Sequence, residues 1–416
     1  MYNLVLMNKK LKIIIGIFTL ALLLHIGLNL VNKNRTDNDF KKLSPLSEKS
    51  SIFSFFSKEK VQPKKIVYGY LPYWNLNKID YLQLDKLTDI AYFGLYLDED
   101  GNFVTEIEGE GGNIVTEPGY ANWKNNEDLN DLIKRCKEEN VRFSLTIIAH
   151  NDEENDNFLN CKECWDKLIR NLKIELDSKG IRDVNLNFEH AEGVKEEIAI
   201  KFSEFVEYIN KKLDEEYGDS YLVVSAFGDS ATQKRVSSDL ENLGRSADGI
   251  FILAYDYHRP TSEEIGPVSP IEGPGSDVKE TINDFLTKIP PNKIILGVPY
   301  YGYNWLVEDD SEYAKRIEGS DENGFSEAQS YEDVLSTIIE VAPQLKWNEE
   351  GKSPYFTYTS PRTNSLRTVY YENAESLKYK YDLINEYNLG GVGIWALGYD
   401  GGYTELWDLL RDYFFN

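Results

Sequence analysis

Eight short runs rich in β-branched and aromatic residues recur after residue 64, separated by longer amphipathic stretches. They are KIVYGYL (65–71), DIAYFGLYL (89–97), VRFSLTII (141–148), DVNLNFE (183–189), SYLVVSAF (220–227), DGIFILAYDY (248–257), KIILGVPYY (293–301) and GGVGIWAL (390–397). Strands that alternate with helices pair in parallel, and a parallel sheet needs both faces covered. Eight such units predict an α/β fold, a closed (β/α)8 or TIM barrel with the strands inside and the helices outside.

The intervening stretches carry the helical period. In NEDLNDLIKRCKEEN, Leu129, Leu132, Ile133 and Cys136 fall on one face. Another helix runs through Val278, Ile282, Phe285 and Leu286, with Asp277 as the capping residue and Glu280 three residues on. One interval breaks the rhythm, since about 90 residues separate the seventh run from the eighth. YEDVLSTIIEVA, SPYFTYTS and LRTVYYE within it predict a helix and two strands, a small α+β insertion over 306–373.

The first residues obey different rules. Lys9, Lys10 and Lys12 precede an apolar run over 13–31, long enough to cross a bilayer as a helix. The lysines place residues 1–12 in the cytoplasm and everything after the run outside. A cleaved signal peptide, and hence a secreted protein, is the alternative, although no small-x-small cleavage site follows the run. Residues 32–64 are polar and aperiodic and read as a linker, which leaves 65–416 for the barrel. Residues 1–64 hold 11 Lys/Arg against 4 Asp/Glu, so of the total charge of −25 the remainder carries −32. So acidic a domain is not steered electrostatically to nucleic acid.

Three cysteines are too few for a disulfide framework. Cys161 and Cys164 form a CxxC without the second ligand pair that a zinc site needs, which leaves a local disulfide or two plain thiols. No metal site and no cofactor is expected.

In such a barrel the chemistry sits at the C-terminal ends of the strands. Tyr70 and Trp74 follow the first strand, Glu189 ends the fourth, Tyr255 and Asp256 end the sixth, Tyr300 and Tyr301 the seventh, and Trp395 lies on the eighth. Aromatic rings at a barrel mouth suit a sugar, whose apolar face packs on a ring while its hydroxyls find polar partners. Strand alternation sends Asn185, Asn187 and Glu189 to the lumen side, opposite Val184, Leu186 and Phe188. Two amides and a carboxyl there need mutual hydrogen bonds.

These residues resemble glycoside hydrolase family 18, the chitinase group, and within it the bacterial spore cortex and cell-wall peptidoglycan hydrolases. YGYLPYWN is similar to the family's first strand, GIRDVNLNFE to its Asp-Gly-x-Asp-x-Asp-x-Glu strand, LAYDYH to its Met-x-Tyr-Asp strand and LGVPYYGYNW to its seventh. SPYFTYTS and the stretch ending GGVGIWALGYDGG are similar to its insertion and last strand. The resemblance implies a glycosidase acting on a polysaccharide that contains β-linked N-acetylglucosamine, in which the substrate's own acetamide attacks the anomeric carbon. It implies that Glu189 is the acid and base and that Tyr255 and Asp256 hold the N-acetyl group. Trp395 would be the floor, with Tyr70 beside it and Tyr300 and Tyr301 along the groove. Asn187 joins Glu189 and Tyr255 as a catalytic position, and Asn185 joins the substrate-binding ones. The implied partners are the glycan and, through the N-terminal helix, the membrane.

Four positions depart from the signature: Arg182, Asp183, Asn185 and Asn187 stand where the family has Asp, Gly, Asp and Asp. Asn187 matters most. An amide oxygen accepts a hydrogen bond from the acetamide N–H as an acid does, but offers a dipole rather than a charge to the developing cation. A barrel that holds glycan without cutting it is therefore the competing expectation. SLTIIAHND lacks the family's Ser-x-Gly-Gly, which leaves His150 and Asp152 open between a substrate contact and a surface loop.

Overall fold

The computed structural model describes residues 63–190 and 193–415. The apolar run at 13–31 and most of the expected linker lie outside the described residues. Among those described, no helix is long and apolar enough to cross a membrane.

All eight expected strands are present and close into one parallel barrel. In chain order they are Ile66–Pro72, Asp89–Tyr96, Arg142–Ala149, Asp183–Phe188, Leu222–Phe227, Gly249–Leu253, Ile294–Pro299 and Gly391–Trp395. Their alternation divides two cores. Outward residues such as Val184, Leu186, Phe188, Ile250 and Ile252 meet the helices. Inward residues Tyr68, Tyr70, Ala91, Phe93, Ile148, Val223, Phe251 and Ile295 fill the lumen. Gly393 makes room for one of them, since a Cβ there would lie 2.1 Å from the Phe251 ring.

The helical expectations hold where the period was clear. Helix Glu127–Glu139 buries Leu129, Leu132, Ile133 and Cys136. Its N-cap Asn126 accepts from the Leu129 N–H at 2.9 Å. Asp277 caps helix Val278–Leu286 by accepting from the Glu280 N–H at 2.8 Å. Cys161 and Cys164 are joined as a disulfide at the start of helix Lys162–Lys179.

The insertion is larger than the 306–373 expected and starts earlier. The seventh barrel strand stops at Pro299, and Tyr301–Leu306 already belongs to a second, five-stranded antiparallel sheet, second from its edge. The reason is geometric: both strands are apolar and aromatic, so composition alone cannot separate a barrel strand from the insertion strand that follows it. The helix Tyr331–Val341 and the strands Ser353–Thr359 and Leu366–Tyr371 are as expected, while the short strands Glu327–Ser330 and Leu345–Asn348 were not.

A buried ion pair ties the insertion back to the barrel. Lys380, on helix Ala374–Glu386, contacts Glu372 at 2.8 Å, and neither side chain is exposed. Burial pushes the carboxyl up and the ammonium down, each opposed by its partner. Lys380→Met should cost about 3–5 kcal/mol by leaving a buried charge unmatched, whereas Lys380→Met with Glu372→Leu should recover most of it. Urea unfolding followed by tryptophan fluorescence measures both; equal stability of the single variant and the parent would contradict this.

Candidate active site

At the C-terminal mouth of the barrel lies a groove of about 840 Å³. The barrel supplies its floor and one wall, and Tyr301, Tyr303, Gln329 and Asp333 of the insertion supply the other, so the insertion flanks the groove rather than blocking it.

Trp395 lies at the floor, half-buried, with its ring centroid 4.8 Å from that of Phe93 and 5.5 Å from that of Tyr70. Trp74, the most exposed of these rings, stands 6.4 Å from Trp395. Tyr70 shows only its ring to this cluster. Its hydroxyl turns into the lumen, donating to Asn185 Oδ1 at 3.0 Å and meeting Ser225 Oγ at 2.6 Å. Tyr70, Asn185 and Ser225 thus satisfy one another within the lumen.

Glu189 directly follows the fourth strand, and its backbone is held at both ends. Its N–H donates to the Ala149 carbonyl at 2.9 Å, and its carbonyl accepts from Asn155 Nδ2 at 3.0 Å. The same amide also reaches the Ala149 carbonyl at 3.0 Å. Carboxyl oxygen Oε1 accepts from Asn187 Nδ2 at 3.1 Å. On the other side of that amide, His150 Nε2 lies 2.6 Å from Asn187 Oδ1.

The sixth strand contributes Tyr255 and Asp256. Burial, followed by the nearby Tyr70, Asp256 and Glu189, drives the Tyr255 phenol well above its ordinary range, so it remains a hydrogen-bond donor. Its hydroxyl has no hydrogen-bond partner among the described residues. Asp256 adopts φ 64°, a left-handed conformation that Asp tolerates better than most residues, and its carboxylate accepts from the hydroxyls of Tyr301 and Tyr303.

The structure therefore brings Glu189, Asn187, Tyr255, Asp256, Tyr301, Tyr70 and Trp395 to one groove. Two expected members are elsewhere. Tyr300 is fully buried behind the wall, its hydroxyl 3.4 Å from that of Tyr381. Adjacent residues at a strand boundary face opposite ways, so only Tyr301 of the pair can look into the groove. Asn185 is fully buried a layer beneath the floor, where it serves Tyr70 and Ser225 rather than a ligand. Tyr303, Lys78, Arg235 and Arg259 line the groove without having been singled out. Tyr303 was legible, two residues beyond Tyr301 on the same strand face. His150, left open between groove and surface, is in the groove.

Residues 66–400 match the sequence pattern of Glycosyl hydrolases family 18. The chain belongs to glycosyl hydrolase family 18. Among curated members it is 28% identical to the putative sporulation-specific glycosylase YdhD of Bacillus subtilis, over 59% of this chain and 54% of that protein. It is 26% identical to the cortical fragment-lytic enzyme of the same organism, over 64% of this chain and 57% of that one. The family 18 chain thus spans a little over half the length of these relatives. In fold it matches the spore cortex-lytic enzyme SleL of Bacillus megaterium with a TM-score of 0.66 at 22% identity, over 89% of this chain and 78% of SleL.

The lumen layer beneath this family 18 groove is open to test. Tyr70→Phe strands Asn185 Oδ1 in a dry interior, leaves Ser225 Oγ only its 3.4 Å contact with Asn185 Nδ2, and should cost about 1–3 kcal/mol. Urea titration of parent and variant measures it; an unchanged midpoint would mean that the layer repairs itself.

Proposed function

We propose that the protein hydrolyses β-linked N-acetylglucosamine-containing glycan, peptidoglycan or a chitin-like polymer, with Glu189 as acid and base. One observation carries the reading. Of the carboxyl groups lining the groove, Asp256 accepts from two tyrosine hydroxyls and Asp333 from both the backbone N–H and the hydroxyl of Ser330, whereas Glu189 accepts, among the described residues, from the Asn187 amide alone.

A groove in which one carboxyl is this lightly engaged, while the others are tied to neighbouring side chains, suits an attack by the substrate itself better than the two-carboxylate schemes. Protonated Glu189 gives its proton to the glycosidic oxygen as the C1–O bond breaks, and the acetamide oxygen of the same sugar bonds to C1. A water then opens this oxazolinium ring at C1, returning a proton to Glu189 and retaining the configuration. The Tyr255 hydroxyl, without a partner among the described residues, is suited to donate to the acetamide oxygen. Trp395 offers an apolar plane for the sugar ring. The relatives named for cortical fragments and sporulation favour peptidoglycan as the glycan.

We further propose that residues 13–31 anchor the chain in a membrane with the barrel outside the cytoplasm, secretion being the alternative. Protease accessibility of the barrel on intact cells, together with its partition into the membrane fraction, tests this.

A holding rather than cutting protein is the second reading, and one feature favours it: the group beside Glu189 is the uncharged Asn187 amide, which offers a developing cation a dipole and no charge. Product release from N-acetylglucosamine oligomers and purified peptidoglycan by the full-length chain decides between them. Cleavage by the parent that falls about 10²–10⁴-fold in Glu189→Gln supports the enzyme. Glycan binding without cleavage, with activity appearing in Asn187→Asp, supports the holder.

A further inference from the structure

The groove contains a chain of three side chains, His150, Asn187 and Glu189. His150 follows the third strand, and that strand pairs with the fourth so that Ile148 lies opposite Asn187. Two residues further on, on the same face, the imidazole reaches over Asn187. Its Nε2 lies 2.6 Å from Asn187 Oδ1 and 3.6 Å from Glu189 Oε1. The ring is flanked by Phe93 and Tyr96, with centroid separations of 6.4 and 6.3 Å. The backbone beneath it is fixed by Asn155, whose amide bridges the carbonyls of Ala149 and Glu189.

An asparagine amide has two unlike ends and can face its neighbours either way. With Nδ2 toward Glu189 it donates to the carboxyl; with Oδ1 there, two acceptors would oppose each other. A proton on His150 Nε2 settles the choice, because Oδ1 then accepts from the ring and Nδ2 must turn to Oε1. Oε1 is thereby occupied, and Oε2 is left to carry the acid proton into the groove. The amide oxygen has a second lone pair, which remains for the acetamide N–H of a sugar.

We infer that His150 is a positioning residue for the acid/base carboxyl, acting on Glu189 through Asn187. The inference rests on Glu189 being the acid and base. It explains how Asn at 187 serves a site built around an acid: the imidazole orients the amide that replaces the charge.

The test uses the full-length chain and N-acetylglucosamine oligomers. His150→Ala should lower kcat about tenfold or more with KM within about twofold, the loss expected when a hydrogen bond to a charged group goes astray. His150→Gln, whose amide nitrogen falls near the position of Nε2, should restore most of it. In an Asn187→Ala background His150→Ala should cost almost nothing further, since the path through the amide is already cut. A raised KM at unchanged kcat, equal losses in both His150 variants, or additive losses with Asn187→Ala would overturn the inference. Crystal structures provide a readout independent of turnover: the 3.1 Å contact between Asn187 Nδ2 and Glu189 Oε1 should be lost in His150→Ala and kept in His150→Gln. Its retention in His150→Ala would overturn the inference even in a protein that only binds. The reading of Glu189 stands or falls separately, on whether Glu189→Gln abolishes cleavage by the parent.

Discussion

Closing eight parallel strands into one hydrogen-bonded ring sends every second side chain into a lumen that must be filled. That constraint organises the rest of the molecule. Phe251, Tyr68 and Phe93 fill the space with rings, Gly393 yields room for one of them, and Tyr70, Asn185 and Ser225 bond one another. Only above this layer does the lumen open to solvent, and there the same alternation delivers Asn187 and Glu189 side by side. The groove is the unfilled top of a packed core.

The insertion turns that opening into a groove. Tyr301 and Tyr303 come from a sheet outside the barrel, yet their hydroxyls engage Asp256 at the end of the sixth strand. The contact joins the two units at the site and ties one oxygen of the Asp256 carboxylate to the insertion. Chain far from the site in sequence also serves it: Asn155, on the helix after the third strand, fixes the backbone of Glu189. The parts of the site depend on one another, and the acid is held from three elements.

Much of this was legible in the residues. The eight strands announced themselves through β-branched and aromatic runs at regular intervals, and the capped helix after Asn126 through its apolar period. Glu189, Tyr255, Asp256 and Trp395 were placed at the mouth because strand ends are where such a barrel keeps its chemistry. What failed did so at boundaries. Tyr300 and Tyr301 look equivalent in the sequence, and only the turn after Pro299 sends one into the core and the other into the groove. Asn185 and Asn187 likewise share a strand face, but depth along the barrel axis makes one a structural partner of Tyr70 and the other a neighbour of Glu189.

The sequence by itself determined the architecture and the family, because both follow from local pattern: the period of apolar residues, the order of motifs and the residues at strand ends. Tertiary structure alone decided how the site is wired. Which tyrosine faces the groove and which end of the Asn187 amide meets Glu189 both depend on contacts between distant elements. A hydrogen bond has direction and a reach of about 3 Å. Pattern along the chain specifies which groups are available, and only packing specifies which of them arrive within that reach.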